Sequence, residues 1–431
     1  MRLGSKHLEP VSSQQAVYSC RFNYCFSSGI FPAVFKKAIV YPIFKSGDKN
    51  LVSNYRPISI LSIFSYFYEK IIYLNLLHHV QPFLSQAQHG FLRQKSCLTN
   101  LSVLEQAVIN VINAKYQLDI IHIDFKIAFD VISHRLLLHK LQFRFGITGK
   151  FLSILADFLC DREQRVVVGG CASEWSPVTS GVIQGSVLGP LLFVLFVDDL
   201  PDLLSTFGVD CLLFADDSKI YKQVHTVRDC VQLQQAADSL SVWCGAWELQ
   251  PNVSKCGVLT ASLKQQPVLF TYNFCGSPLS RLDLVNDLGV LFDPKLQFLH
   301  HITTVRSRAM QMLGMLYRFI NINDPKALKL YFTSIVLPII EYCSPVWAMS
   351  APTNLLLLNR VSSFFARIVR YRVYSMRHLS TPQIFERLGL QSLSVRRQRH
   401  DMMFLYDIIN GRVSCAPLLS GLLLQIGRAH V

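Results

Sequence analysis

The sequence has no apolar stretch long enough to cross a bilayer. Its best candidate, "VLGPLLFVLFV" from Val187, stops after eleven residues at Asp198 and Asp199, against the roughly 20 that a membrane helix needs. The beginning, "MRLGSKHLEP", has no apolar core of a secretory leader, so no signal peptide is expected. Twelve cysteines are scattered without a CxxC pair or a Cys/His spacing suited to zinc, which excludes the common zinc modules and fits a reducing compartment. Intracellular residence, nuclear or cytoplasmic and away from membranes, is the expectation. No internal repeat or low-complexity tract stands out. Charge is scarce, 16% of residues against 51% hydrophobic, which argues against disorder. A chain of 431 residues exceeds the usual single-domain size, so two or three packed subdomains are expected.

Acidic residues are scarcest where basic ones are densest. Residues 301–431 hold 16 Lys and Arg against 5 Asp and Glu, so most of the formal +14 resides there. Arg360, Arg367, Arg370, Arg372, Arg377, Arg387, Arg396, Arg397 and Arg399 face one acid, Glu386, and alternate with apolar residues at helical spacing. A solvated helix face accounts for some of them, but a face built for solubility mixes both signs. A polyanion, most commonly nucleic acid, is the better-matched partner.

The periodicity predicts a strand over Ala38 to Phe44, an extended "YRPISIL", an amphipathic helix over Phe64 to Val80 and another over 98–114. "QLDIIHIDF" reads as an apolar strand ending in Asp124, and "QRVVVGG" as a second. "SGVIQGSVLGPLLFVLFVDDL" runs from a glycine-punctuated loop into a buried helix. A helix over 227–248, a hairpin-like "LVNDLGVLFD" and mostly helical residues follow. The class is α+β with a basic helical C-terminal part.

In "CLLFADDSKIY", Asp216 and Asp217 fall at a hairpin tip between two strands. A solvated turn is one reading, since Asp favours turns. The other is a divalent-cation site, which needs a further carboxylate from elsewhere in the chain. Asp124, at the end of a rigid apolar strand, supplies it. Three such carboxylates could bind two Mg²⁺ ions and serve phosphoryl transfer.

The ordered series "AIVYPIFKSGD", "YRPISIL", "QHGFLRQKS", "IHIDFKIAFD", "VTSGVIQGSVLGPLLF", "LLFADDSKIY", "WELQPNVSKC" and "DLGVLFD" resembles the motif set of reverse transcriptases of non-LTR retrotransposons, most like the jockey type. The resemblance implies a right-hand polymerase with fingers, palm and thumb. It also implies an RNA template, a DNA primer and deoxynucleoside triphosphates as partners, and two Mg²⁺ ions, or Mn²⁺ in their place. Asp124, Asp216 and Asp217 would hold the metals and Lys255 would protonate the leaving pyrophosphate, though a lone lysine could equally be a solvated neighbour. Lys45 and Arg56 would grip the triphosphate, with a plain surface position as the alternative. Phe129 would exclude a ribose 2′-hydroxyl, or be an ordinary core ring. Gln184 and Gly185 would line the nucleotide pocket. Arg306, Arg308, Arg367 and Arg370 would track nucleic-acid phosphates.

The implied division is 1–25 as a poorly matching remnant, 26–265 as fingers and palm, 266–345 as primer grip and thumb, and 346–424 as a basic helical region. The tail 425–431, "QIGRAHV", reads as non-biological. Ile127 stands where the family has lysine, with Lys126 one place earlier, a shift that on a strand reverses the face a side chain points to; Ile183 stands where the family has proline and Phe35 where it has tryptophan. No endonuclease domain is expected in the chain. A non-catalytic nucleic-acid-binding remnant, or the product of a decaying element, is the competing reading.

Overall fold

The computed structural model describes residues 22–348 and 350–420. Most of the N-terminal remnant and all of the tail 425–431 lie outside the described residues. In chain order the strands are β1 (Lys37–Phe44), β2 (Tyr55–Ile60), β3 (Gln117–Ile123), β4 (Arg162–Val168), β5 (Cys171–Ala172), β6 (Ser176–Val178) and β7 (Asp210–Phe214). They continue as β8 (Asp217–Val224), β9 (Gly257–Ser262), β10 (Asn273–Phe274), β11 (Ser277–Pro278), β12 (Ser280–Arg281), β13 (Val285–Asp287) and β14 (Val290–Phe292).

The apolar run of β3 is central in a sheet ordered β12-β9-β3-β8-β7, antiparallel to both β8 and β9. A strand covered on both faces reads as a continuous hydrophobic run rather than an alternating one. Ile121 and Ile123 enter a core with the helices Gly189–Val197 and Val227–Ala246, and Leu118 and Ile120 enter a second core on the opposite face. Gly189–Val197 is apolar throughout and almost wholly buried, as its composition requires.

A second sheet, ordered β2-β1-β4-β5 with β6 on β4, carries the β1–β2 hairpin. Pro42 and Pro57 face each other across that hairpin, where β1 has passed beyond its pairing with β4 at Lys37–Val40. Proline lacks the ladder donor and is tolerated at such an edge.

The helix Ile63–Val80 forms as expected but is not amphipathic. It buries Tyr68, Ile72 and Leu76, yet also exposes Ile63, Phe67, Ile71 and Leu74. The segment after Asp124 also differs from expectation: residues 126–130 form a turn, not a strand, and Ile127 has φ of +48° and is exposed. Strand alternation therefore does not decide where Lys126 and Ile127 point. Beyond residue 298 the described residues are mostly helical. The helices Leu299–Phe319, Asn359–Arg372, Thr381–Arg387 and Leu393–Ile409 share the second core with Cys97–Asn113, through Leu313, Phe365, Ile384, Leu393 and Leu104. Residues on both sides of position 345 contribute to this one core.

Candidate active site

The β7–β8 hairpin has a two-residue turn, because Phe214 pairs with Asp217 and only Ala215 and Asp216 lie between. Ala215 has φ of +56°, and Asp216 is not among the positive-φ residues. That combination is the signature of turns that match the right-handed twist of paired strands. Asp216 therefore sits at the tip and Asp217 begins β8. Ile123 pairs with Ser218, so the chain leaving β3 delivers Asp124 beside the start of β8.

Asp216 and Asp217 are both perturbed by burial and by neighbouring carboxylates. Burial pushes Asp216 above the ordinary carboxylate value and Asp124 pushes it further, while Arg56 and Lys45 pull it down. Asp217 keeps an open side to solvent. Even so, desolvation by the surrounding protein, then Asp216, Asp287 and Asp124, push it up to about 6, with Lys219 opposing. Repulsion of this kind is what a cation would relieve.

The structure brings three of the expected basic residues to this place. Lys45 and Arg56 are exposed on the β1–β2 hairpin and their charges reach Asp216. Lys255 stands 3.5 Å from Asp124 Oδ2 with its ammonium in solvent. The Phe129 ring stacks on buried Phe193 at 4.4 Å between centroids and meets half-exposed Phe91 edge-on at 6.0 Å, so it is part core and part surface.

The loop at Gln184 is tied down despite Ile183 in place of proline. Gln184 O accepts from Ser59 N at 2.7 Å, its Nε2 donates to both Asp130 carboxylate oxygens at 2.9 and 3.0 Å, and Val182 N donates to Phe129 O. Gly185 has φ of +118°, and a Cβ there would stand 2.2 Å from Ser59 O. Its close approach is thus to the backbone of β2. A cavity of about 370 Å³ adjoins this loop, lined by Ser59, Asp130, Gln164, Thr179 and Gln184 among others.

The basic helices divide into two groups. Arg308 and Arg367 are exposed and Arg306 is half-buried. Arg370 instead donates to Leu379 O, Arg372 to Tyr317 O and Asn321 Oδ1, and Arg396 to Glu341. These last three arginines spend hydrogen bonds on the fold rather than presenting them all outward.

Several residues near the site escape a reading by motif alone. Asn252 donates from Nδ2 to Asp124 Oδ2 at 3.2 Å and from its backbone N to Asp124 O at 2.7 Å. Lys219, two residues beyond Asp217, forms a buried ion pair with Asp287 of the β13–β14 hairpin. Gln88, in "QHGFLRQKS", accepts from the backbone N–H of Ala215 in the β7–β8 turn. These partnerships join residues 128, 68 and 127 positions apart in the chain, too far for a local signal to name any of them.

Among the described residues no group of three or more Asp, Glu, His or Cys side chains is already closed around a cation position. The acidic donors at the adjoining strand ends are hard carboxylate oxygens, and those of Asp216 and Asp217 have raised proton affinity. That set fits Mg²⁺, which keeps several waters and shares its shell with substrate phosphates rather than requiring an all-protein cage.

The described cysteines are all free, and among the described residues no helix is long and apolar enough to cross a membrane. The family model for reverse transcriptase (RNA-dependent DNA polymerase) matches residues 43–315, more than half of the chain. The chain is 28% identical to the RNA-directed DNA polymerase from mobile element jockey of Drosophila funebris, over 81% of this chain and 39% of that protein. It is 27% identical to a probable RNA-directed DNA polymerase from transposon BS of Drosophila melanogaster, over 88% of this chain and 43% of that one. It thus spans about two-fifths of the length of these curated relatives. A structure of apo telomerase from Candida tropicalis aligns with a TM-score of 0.42 and 12% identity, over 87% of this chain and 72% of that chain, a likeness too loose to argue from. Motif order, sheet topology and family match agree: the chain belongs to the reverse transcriptases, and its sequence is similar to those of jockey-type non-LTR retrotransposons.

Proposed function

We propose that this chain extends a DNA 3′ end on an RNA template by nucleotidyl transfer, with Asp124, Asp216 and Asp217 as its catalytic carboxylates. The observation that carries the reading is the raised proton affinity of Asp216 and Asp217 at adjoining strand ends, to which Asp124 contributes, with Lys45 and Arg56 acting on Asp216. In the reaction the primer 3′-hydroxyl oxygen bonds to the α-phosphorus of a deoxynucleoside triphosphate while the bond to the bridging oxygen breaks. The hydroxyl proton passes to water, and the leaving pyrophosphate takes a proton from Lys255. Two Mg²⁺ ions, held by the carboxylates and the substrate, would stabilise the attacking and leaving oxygens.

Lys45 and Arg56 hold the triphosphate and offset its charge. Phe129, backed by Phe193, presents its free edge to the sugar and excludes a 2′-hydroxyl. Gln184 and Gly185 form the floor of the nucleotide pocket. Arg306, Arg308 and Arg367 contact phosphates of the duplex, with Arg370 contributing the donors it does not give to Leu379. Residues 26–265 act as fingers and palm, 266–345 as primer grip and thumb, and 346–424 as a basic helical extension.

The test is extension of an oligo(dT) primer on poly(rA) with Mg²⁺ by the purified chain, beside Asp216→Ala and Asp217→Ala. Extension by the first alone supports the reading. If the folded chain holds primer-template but never extends it, the non-catalytic alternative stands.

A further inference from the structure

The turn that carries Asp216 has a backbone donor its own hairpin does not use. Ala215 N, at the first of the two turn positions, donates to Gln88 Oε1 at 3.2 Å. The same oxygen accepts from Gly90 N at 2.8 Å. Backbone 87–89 runs along the outer edge of β7: Leu213 N donates to Ala87 O at 2.9 Å and His89 N donates to Leu213 O at 2.8 Å. Asn100 Nδ2 adds a bond to Leu213 O at 3.1 Å. The approach is so close that a Cβ on Gly90 would stand 2.5 Å from Ala215 N.

Two features single out the Gln88 oxygen. Gln88 is fully buried and its Nε2 has no partner among the described residues, so the amide's fit here comes from its acceptor. Two N–H groups converge on one end of the side chain, which fixes that end as oxygen. Ala215 meanwhile holds a left-handed φ, disfavoured for a residue with a Cβ. Such a conformation persists where the surroundings over-determine it.

We infer that Gln88 is a positioning residue of the catalytic turn, whose side-chain oxygen, by anchoring Ala215 N, fixes the direction in which Asp216 is presented to the metal-bound substrate. This rests on the polymerase reading only in its last clause. The residue acts through the turn and touches no substrate.

The experiment compares Gln88→Met, which keeps volume and loses the acceptor, Gln88→Asn, which keeps the amide and loses reach, and Gln88→Glu, which keeps the acceptor at full reach. Three readouts are taken: amide exchange at Ala215, Mn²⁺ titration followed by electron paramagnetic resonance, and kcat separately from KM in primer extension. Gln88→Met and Gln88→Asn are expected to speed Ala215 exchange at least tenfold, leaving the helix Val227–Ala246 unchanged. They should also weaken Mn²⁺ binding severalfold and lower kcat more than they raise KM. Gln88→Glu should stay near wild type in all three. Unchanged exchange at Ala215 in a folded Gln88→Met or Gln88→Asn variant overturns the inference, as does a Gln88→Glu variant that fails alongside them. If wild type neither binds Mn²⁺ nor extends, the polymerase reading falls, while Ala215 exchange still decides whether Gln88 holds the turn.

Discussion

Replacing Lys219 by methionine should destabilise the sheet that carries the catalytic hairpin far more than replacing Lys219 and Asp287 together by apolar residues. Lys219 is 1% exposed and Asp287 5%, and the two are ion-paired across 68 residues of sequence, β8 to β13. Removing the ammonium alone leaves a carboxylate buried without its partner, which costs about 3–5 kcal/mol. Replacing both, as Lys219→Met with Asp287→Leu, removes the charge with its counter-charge and is often neutral or stabilising by about 1–4 kcal/mol. With a urea slope of about 3 kcal/mol/M, the single variant should lower the midpoint by about 1–1.7 M and the double variant should restore most of it. Lys219 and Asp287 act in opposite directions on Asp217, so the double variant should also retain primer extension. Equal midpoints for the single and double variants would refute the idea that an uncompensated charge sets the cost.

Asp217→Asn should raise the unfolding midpoint at pH 8 and abolish extension. Burial and neighbouring carboxylates push Asp217 up from 3.8 to about 6, so its ionisation disfavours the folded state as pH rises through that window, and the advantage should vanish below about pH 3.8. Added Mg²⁺ should raise the wild-type midpoint and not the variant's, read by thermal unfolding. Glu105→Gln should gain stability over wild type progressively from about pH 4.5 to about pH 9, because burial and then Asp401 raise this carboxyl across that range. Chemical unfolding at several pH values checks it; parallel curves would contradict it. Gly185→Ala should cut extension at least tenfold, since its Cβ would meet Ser59 O at 2.2 Å; wild-type kinetics would show that the loop moves freely against β2.

The strands of the palm were legible because burial on both faces leaves a simple mark, the apolar runs of β3 and β7. The hairpin was legible for the same reason, as the break between two such runs, but its turn falls on Ala215 and Asp216 and Asp217 opens β8 rather than sharing the tip. The helix Ile63–Val80 was misread because its apolar residues lie on both faces and one face stays exposed. Ile127 was read on strand alternation, but residues 126–130 turn. The partnerships of Gln88 with Ala215 and Lys219 with Asp287 depend on how the chain folds back, and nothing in "QHGF" or "ADDSK" names a distant partner. The arginine stripe was read as a single surface because composition cannot separate Arg367, exposed, from Arg397, buried.

Single-nucleotide incorporation on an RNA template tests the central claim most directly, with wild type compared against Asp124→Asn, Asp216→Asn and Asp217→Asn, each checked for folding and primer-template binding. The account predicts incorporation by wild type and a loss of at least a hundredfold in Asp124→Asn and Asp216→Asn, with binding retained. Incorporation by either of these two variants at the wild-type rate would contradict it.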